Sequence, residues 1–261
     1  MDLGLRGRTA LVLGAGGGLG RAIATALAAE GARVAAADID AGALAPTLAA
    51  IASTGSEGMA LTWDLADLSQ IEGHVAAIEA RLGPVDILVN NTGGPPPTPA
   101  SGQAPELWAQ HFQAMVVSVI AITDRVLPGM RARKWGRVIT STSSGIVAPI
   151  PNLAISNALR LSLVGWSKTL AREVGADGVT VNVVLPGRIA TQRILFLDNA
   201  KAAREGRAVE AVTAESTAAI PLGRYGDPRE YGDVVAFLAS ARAAYVTGSV
   251  TRVDGGLIPS V

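Results

Sequence analysis

Apolar residues fall in short unbroken runs, separated by longer stretches in which Ala and Leu recur at helical spacing. The runs TALVLG (9–14), RVAAAD (33–38), GMALTWD (58–64), VDILVNN (85–91), GRVITST (136–142), GVTVNVVLP (178–186) and SVTRVDGG (249–256) read as strands. Helical patterns fill the gaps at 19–31, closed by Gly31, and at 41–53, 68–82, 106–133 and 151–174. Pro128 predicts a kink or break near the end of the 106–133 helix. Strands alternating with helices predict an α/β fold: a Rossmann-type doubly wound parallel sheet of about seven strands in a three-layer αβα arrangement.

The alternation lapses only at 188–221, which is charged, Ala-rich and weakly periodic. This segment predicts a helical flap able to close over a substrate, against the plainer alternative of a solvated surface insertion. No linker or repeat divides the rest, so 1–261 reads as a single domain. The 106–133 helix is apolar on nearly every face, which predicts a subunit interface and a homo-oligomer, a tetramer or dimer; a crowded monomer core is the alternative.

Composition narrows the function classes. Hydrophobic residues make up 49%, and 22 basic residues balance 22 acidic ones, so no charge excess points to nucleic acid or an anionic membrane. The absence of cysteine excludes disulfides, thiolate catalysis and Cys-ligated zinc, and no metal is expected. No signal-peptide pattern opens the chain, and no unbroken apolar run approaches the ~18 residues of a membrane span. The expectation is a soluble cytoplasmic protein acting on a small-molecule substrate.

The most informative motif is LVLGAGGGLGRAI, in which Gly14, Gly18 and Gly20 follow a strand and open a helix. Glycines allow close approach of the backbone to a pyrophosphate, and the helix N-terminus presents free N–H groups to it. Asp38 ends the second strand, where a carboxylate accepts hydrogen bonds from adenosine ribose hydroxyls and repels a 2′-phosphate. Arg33 lies at the wrong end of that strand to compensate. The cofactor expected is therefore NAD rather than NADP; the plainer reading of Asp38 is a cap of the next turn.

The G-x-x-x-G-x-G spacing, with WDLAD, VNNTGG, VNVVLPGRIATQ, IPLGRYGDPREYGDVVAFLAS and YVTGSVTRVDGG, resembles the short-chain dehydrogenase/reductases over essentially the whole chain. It looks most like the bacterial 3-oxoacyl-carrier-protein reductase branch. The resemblance implies that Gly14, Gly18, Leu19, Gly20, Asp38, Asp64, Leu65, Asn91, Gly93, Arg160, Pro186, Gly187, Ile189 and Thr191 line a dinucleotide. Leu13 and Thr92 stand where the family carries Thr and Ala.

The family's chemistry uses a serine, a tyrosine, a lysine four residues after it, and an asparagine on the preceding long helix. The registers of GRVITSTS and WSKTLAREV place Ser143 on the serine, but Ser156 on the tyrosine, Arg160 on the lysine and Met115 on the asparagine. The candidate catalytic set is thus Ser143, Ser156 and Arg160. Tyr225, Tyr231 and His111 are the other groups able to replace the lost acid, each with ordinary packing as the alternative. Pro95, Pro96 and Pro97 suggest a stiff apolar wall beside the site or, more plainly, a stiffened connector.

Three readings stay open. One is an NAD(H)-dependent oxidoreductase with a non-standard proton relay, in which Arg160 holds ribose or an anionic substrate and Arg188 or a water completes the site. Another is a lyase, aldolase or hydratase-type enzyme on the same fold, with Arg160 stabilising an oxyanion. The last is a non-catalytic dinucleotide-binding protein.

Overall fold

The computed structural model describes residues 2–261. In chain order the strands are β1 (Thr9–Leu13), β2 (Arg33–Asp38), β3 (Gly58–Thr62), β4 (Val85–Asn90), β5 (Gly136–Ser141), β6 (Val179–Pro186) and β7 (Val250–Val253). The main helices are α1 (Gly18–Ala29), α2 (Ala41–Ser53), α3 (Gln70–Leu82), α4 (Pro105–Phe112), α5 (Ser118–Ala132), α6 (Ala154–Val174), α7 (Gln192–Glu205), α8 (Val209–Ala218) and α9 (Pro228–Ala239). The sheet has seven strands in the order β3-β2-β1-β4-β5-β6-β7, and every pair is parallel. The expected doubly wound sheet is therefore the observed one.

Successive residues of a strand face opposite sides, and the sequence fills both sides. On β1, Ala10 and Val12 pack with Ile23, Leu27, Val235 and Leu238 of α1 and α9. Leu11 and Leu13 pack on the other side with Ile78, Val126, Met130 and Val174 of α3, α5 and α6. The strand order reverses between β1 and β4, so the carboxyl ends of these two strands open a crevice, the usual ligand position in such sheets.

Two expectations change. The helix over 105–132 is not broken at Pro128, which sits inside α5 near its end. Its irregularity is a π turn at Gln113–Val117, where the Ser118 N–H donates to the Gln113 carbonyl. By length and apolar content this 28-residue helix matches a membrane span, which a count of unbroken apolar residues misses. Its buried side instead packs on β4, β5, α3 and α6. The helix predicted from 151 begins at Ala154, because the loop after β4 pairs with the preceding residues. The Thr98 N–H donates to Asn152 O at 2.7 Å, and the Ala154 N–H donates to Thr98 O at 3.2 Å. That pairing holds 152–153 out of the helix.

The 188–221 segment contains α7 and α8. Thr191 caps α7 by accepting the Ile194 N–H at 3.4 Å. Gly206, at φ +62°, ends it in the left-handed conformation that suits glycine.

Candidate active site

A cavity of about 900 Å³ lies over the carboxyl ends of the strands, walled on one side by α7. Every residue that the sequence assigns to cofactor or catalysis lines this one cavity, including Leu19, Leu65, Pro186, Gly187 and Ile189.

At one end is the glycine turn between β1 and α1. Gly14 has φ +59°, and a Cβ there would lie 2.5 Å from Asn91 O. A Cβ on Gly20 would lie 2.0 Å from Gly14 O, so only glycine lets the turn fold back on α1. Asn91 Nδ2 donates to Leu13 O at 3.2 Å and Gly14 O at 3.3 Å, tying β4 to the turn. The N-cap of α1 is Gly17, no side chain caps it, and its first turn carries no acid. Its N–H groups are left for an anion. Gly93 faces the cavity, and a Cβ there would meet nothing within 4 Å. The turn, the uncapped helix and this open space fit a dinucleotide.

Asp38 stands at the far end of the same crevice. Its Oδ2 accepts the Gly16 N–H at 2.9 Å and its Oδ1 accepts the Asp40 N–H at 3.1 Å. Asp38 thus caps the turn that leads into α2, as its plainer reading has it, while Asp40 caps α2 itself by accepting from Gly42 and Ala43. Asp64 turns the chain after β3 by accepting the Ala66 N–H at 2.9 Å. Around Asp38 the cavity is lined by Ala37, Ile39, Trp63 and Asp64, without a basic side chain.

The reactive end is built on β5 and α6. Ser143 follows β5, and its Oγ accepts the Gly145 N–H at 3.1 Å, which leaves its own O–H to donate. Ser156 is 6% exposed, and its hydroxyl has no hydrogen-bond partner among the described residues. Arg160 is 7% exposed. Its Nη1 donates to Ser141 O at 3.3 Å, and its Nη2 donates to Thr92 O at 3.1 Å and Gly93 O at 3.3 Å. The cation therefore braces the ends of β4 and β5 from behind. Burial pushes its pKa down to about 10, which leaves it charged at neutral pH.

The substitutes considered for the lost phenol separate clearly. Tyr231 is wholly buried on α9; its hydroxyl pairs with Ser141 Oγ at 2.8 Å and donates to Val184 O at 3.2 Å. Burial pushes its pKa well up. Tyr225 donates to Asp198 Oδ2 at 2.6 Å, and burial raises its pKa also. Neither phenol lines the cavity, so neither replaces the acid. His111 and Met115 do line it. Arg188 is not a free cation: its Nη1 lies 2.8 Å from Asp198 Oδ1, and Asp198 is 2% exposed. Its partner sits ten residues on and meets it only through the start of α7.

Pro95, Pro96 and Pro97 form part of the wall. What the sequence reading missed is the inner face of α7. Arg193, Leu197, Lys201 and Arg204 all line the cavity. Their spacing of four, four and three residues marks a single helical face, and this signal was legible in the flap. The Arg193 Nη2 donates to Pro95 O at 2.7 Å.

Comparison with known proteins places these features. A family model described as enoyl-(acyl carrier protein) reductase matches residues 14–258. The chain is 38% identical over 258 residues to the 3-oxoacyl-acyl-carrier-protein reductase FabG of Vibrio cholerae, covering 98% of this chain and 99% of that one. Among solved structures it resembles L-sorbose reductase from Gluconobacter frateurii, complexed with NADPH and L-sorbose, at 29% identity and TM-score 0.93 over 100% of both chains. It also resembles an NAD+-bound xylitol dehydrogenase at 25% identity and TM-score 0.89, covering 97% of this chain and 99% of that one.

Proposed function

The chain belongs to the short-chain dehydrogenase/reductase family, and on that premise we propose that it is an NAD(H)-dependent oxidoreductase of carbonyl or hydroxyl compounds with a non-standard proton relay. The carrying observation is that a complete dinucleotide cradle and the trio Ser143, Ser156 and Arg160 line one cavity that no tyrosine enters.

Gly14, Gly18, Leu19 and Gly20 hold the pyrophosphate, Asp38 the adenosine ribose, and Asp64 with Leu65 the adenine edge. Asn91, Gly93, Pro186, Gly187, Ile189 and Thr191 hold the nicotinamide half. A bound nicotinamide supplies or accepts the hydride. Asp38 favours NAD over NADP, because a 2′-phosphate would meet a carboxylate whose lining neighbours Ala37, Ile39, Trp63 and Asp64 include no cation to offset it.

Reduction of a carbonyl builds negative charge on its oxygen. Ser143 and Ser156 donate hydrogen bonds to that oxygen, and Arg160 stabilises the charge electrostatically in a site sheltered from water. Aliphatic hydroxyls are far weaker acids than a phenol, so the neutralising proton comes from water. The same cation, with no acid beside it, supports the second reading, in which Arg160 stabilises an enolate in a non-redox lyase-type reaction.

The test is NADH titration by fluorescence, then NADH absorbance with a panel of carbonyl compounds. Binding with consumption supports the oxidoreductase. Binding with product formation but no net NADH change favours the lyase, and binding with no product at all favours a non-catalytic role. We propose also that the protein acts as a homo-oligomer, with a second copy covering the half-buried Trp108 and exposed Phe112 of α4. Light scattering on the purified protein checks this, and a monomer mass overturns it.

A further inference from the structure

The reactive end of the cavity holds more positive charge than its own acids balance. Arg188 is matched by Asp198 at 2.8 Å, Lys201 by Glu215 at 2.8 Å and Arg204 by Glu205 at 3.3 Å. Arg160 and Arg193 form no ion pair among the described residues. Both grip the loop after β4, Arg160 from α6 through Thr92 O and Gly93 O, and Arg193 from the first turn of α7 through Pro95 O. They stand close enough that the charge of Arg193 disfavours that of Arg160, in addition to the larger effect of burial.

Carbonyl dipoles solvate a guanidinium but do not neutralise it. A buried cation without a counter-ion is costly, and two like charges beside one another are more so. A guanidinium has five N–H donors in a planar fork that matches a carboxylate. The Nε–H of Arg160 and one of its Nη1 hydrogens have no acceptor among the described residues. Arg193 uses a single N–H group, towards Pro95 O. Both side chains line the cavity that Ser156 also lines.

We propose that Arg160 and Arg193 form a carboxylate subsite: the substrate is a keto or hydroxy acid whose carboxylate lies between the two guanidiniums, with its reacting oxygen turned to Ser143 and Ser156. This rests on the oxidoreductase reading for the reacting group, but not for the binding of the acid. The flap thereby gains a function beyond covering the site, since Arg193 arrives with it and supplies half of the subsite. The dinucleotide pyrophosphate is the other anion within the cavity, but the uncapped start of α1 already serves it.

The experiment uses 4-oxopentanoate and its methyl ester, a pair differing by one charge, titrated calorimetrically into NADH-loaded full-length protein. The acid is expected to bind at least about tenfold more tightly than the ester, the scale of a charge-assisted bidentate contact. Arg193→Gln, at a half-buried position that tolerates the change, is expected to bring the ratio to within about threefold while NADH binding changes less than about twofold. Arg160→Met is made in parallel, and Arg193→Gln decides the matter if that buried variant does not fold. Equal binding of acid and ester overturns the subsite, as does an unchanged ratio in Arg193→Gln. A tenfold loss of NADH affinity in Arg193→Gln with the ratio preserved assigns this arginine to the pyrophosphate and also overturns it. Preference for the acid without NADH consumption by any carbonyl compound upholds the subsite and retires the redox reading alone.

Discussion

Ser156→Tyr combined with Arg160→Lys puts a phenol back four residues before an ammonium on the first turns of α6. The position can take the ring: Ser156 faces a cavity of about 900 Å³, and its hydroxyl gives up no partner. The lysine is the costly half. Arg160 spans the carbonyls of Ser141, Thr92 and Gly93, and a compact ammonium cannot reach all of them. Losing one bond to a charged group costs about 1.5–3 kcal/mol, so the melting temperature is expected to fall by roughly 3–6 °C. Against this, positioned general acid catalysis contributes about 10²–10⁴-fold, or roughly 3–5 kcal/mol of barrier.

The assay is NADH consumption with carbonyl compounds as a function of pH. In the double variant the phenol gives its proton during reduction, so activity is present below its pKa and lost above it. A neighbouring ammonium brings that pKa down from about 10 towards neutrality. The wild type has no such group in the cavity, and its rate is expected to be flat across the neutral range, falling only as pH nears the value of about 10 to which burial pushes Arg160. Ser156→Phe with Arg160→Lys fills the same space without the hydroxyl and should gain nothing. The reasoning is refuted if the double variant binds NADH normally yet reduces no carbonyl faster than wild type, or if the Phe control matches it.

Asp38→Ala is expected to weaken NADH binding about tenfold and to narrow its advantage over NADPH, because a ribose acceptor and a repelling charge leave together; paired fluorescence titrations check this. Asp198→Ala removes the partner of both Arg188 and Tyr225, so cleavage between 192 and 218 in limited proteolysis should quicken several-fold with little change in NADH affinity. At the start of α9, the bond from the Arg229 side chain to Asp227 and that from Arg224 to Glu230 hold each carboxyl down at about 2. Their contribution to stability is complete above the ordinary carboxylate range of about 4 and is lost as pH falls through about 2. Asp227→Asn should therefore lower the urea midpoint slightly at neutral pH, where that contribution is complete, and flatten the acid limb of its pH titration.

The sheet was legible because strands buried on both faces read as unbroken apolar runs, and their alternation with helices implied parallel pairing; the strand order and its reversal between β1 and β4 came only with the fold. The glycine turn and Asp38 were legible because their chemistry is local to one strand–helix junction. What escaped depended on contacts between distant segments. The 151–153 turn is held by Thr98, more than fifty residues earlier. Arg188 looked free because its partner Asp198 approaches only through the fold of α7, and although the spacing of Arg193, Leu197, Lys201 and Arg204 marks one helical face, nothing local says that this face turns to the cavity or that Arg193 reaches Pro95. Pro128 drew attention to the wrong part of its helix: a proline in the last turns is accommodated, whereas the π turn has no single residue that announces it.

That π turn bears on the non-standard relay proposed for the site. A widened turn frees a backbone carbonyl, a natural place to anchor a water. Here the Ser118 hydroxyl donates to the Ala114 carbonyl at 2.8 Å, so that acceptor is already engaged. Met115, standing where the resemblance places a polar amide, is 3% exposed and packs with Val116, Leu159 and Leu163. Neither the carbonyl nor the side chain offers a water the hold it needs. A water anchor serves only a proton donor, and with no phenol at 156 an apolar residue at 115 gains burial of about 2 kcal/mol at no functional loss. Met115→Asn in the wild-type background should therefore lower stability by about 2 kcal/mol without raising the rate of carbonyl reduction. Added to Ser156→Tyr with Arg160→Lys, the same substitution should raise the rate further and shift its pH profile. A rate gain from Met115→Asn alone would mean that a water-fed relay still runs through this site without the phenol, contrary to the electrostatic role assigned to Arg160.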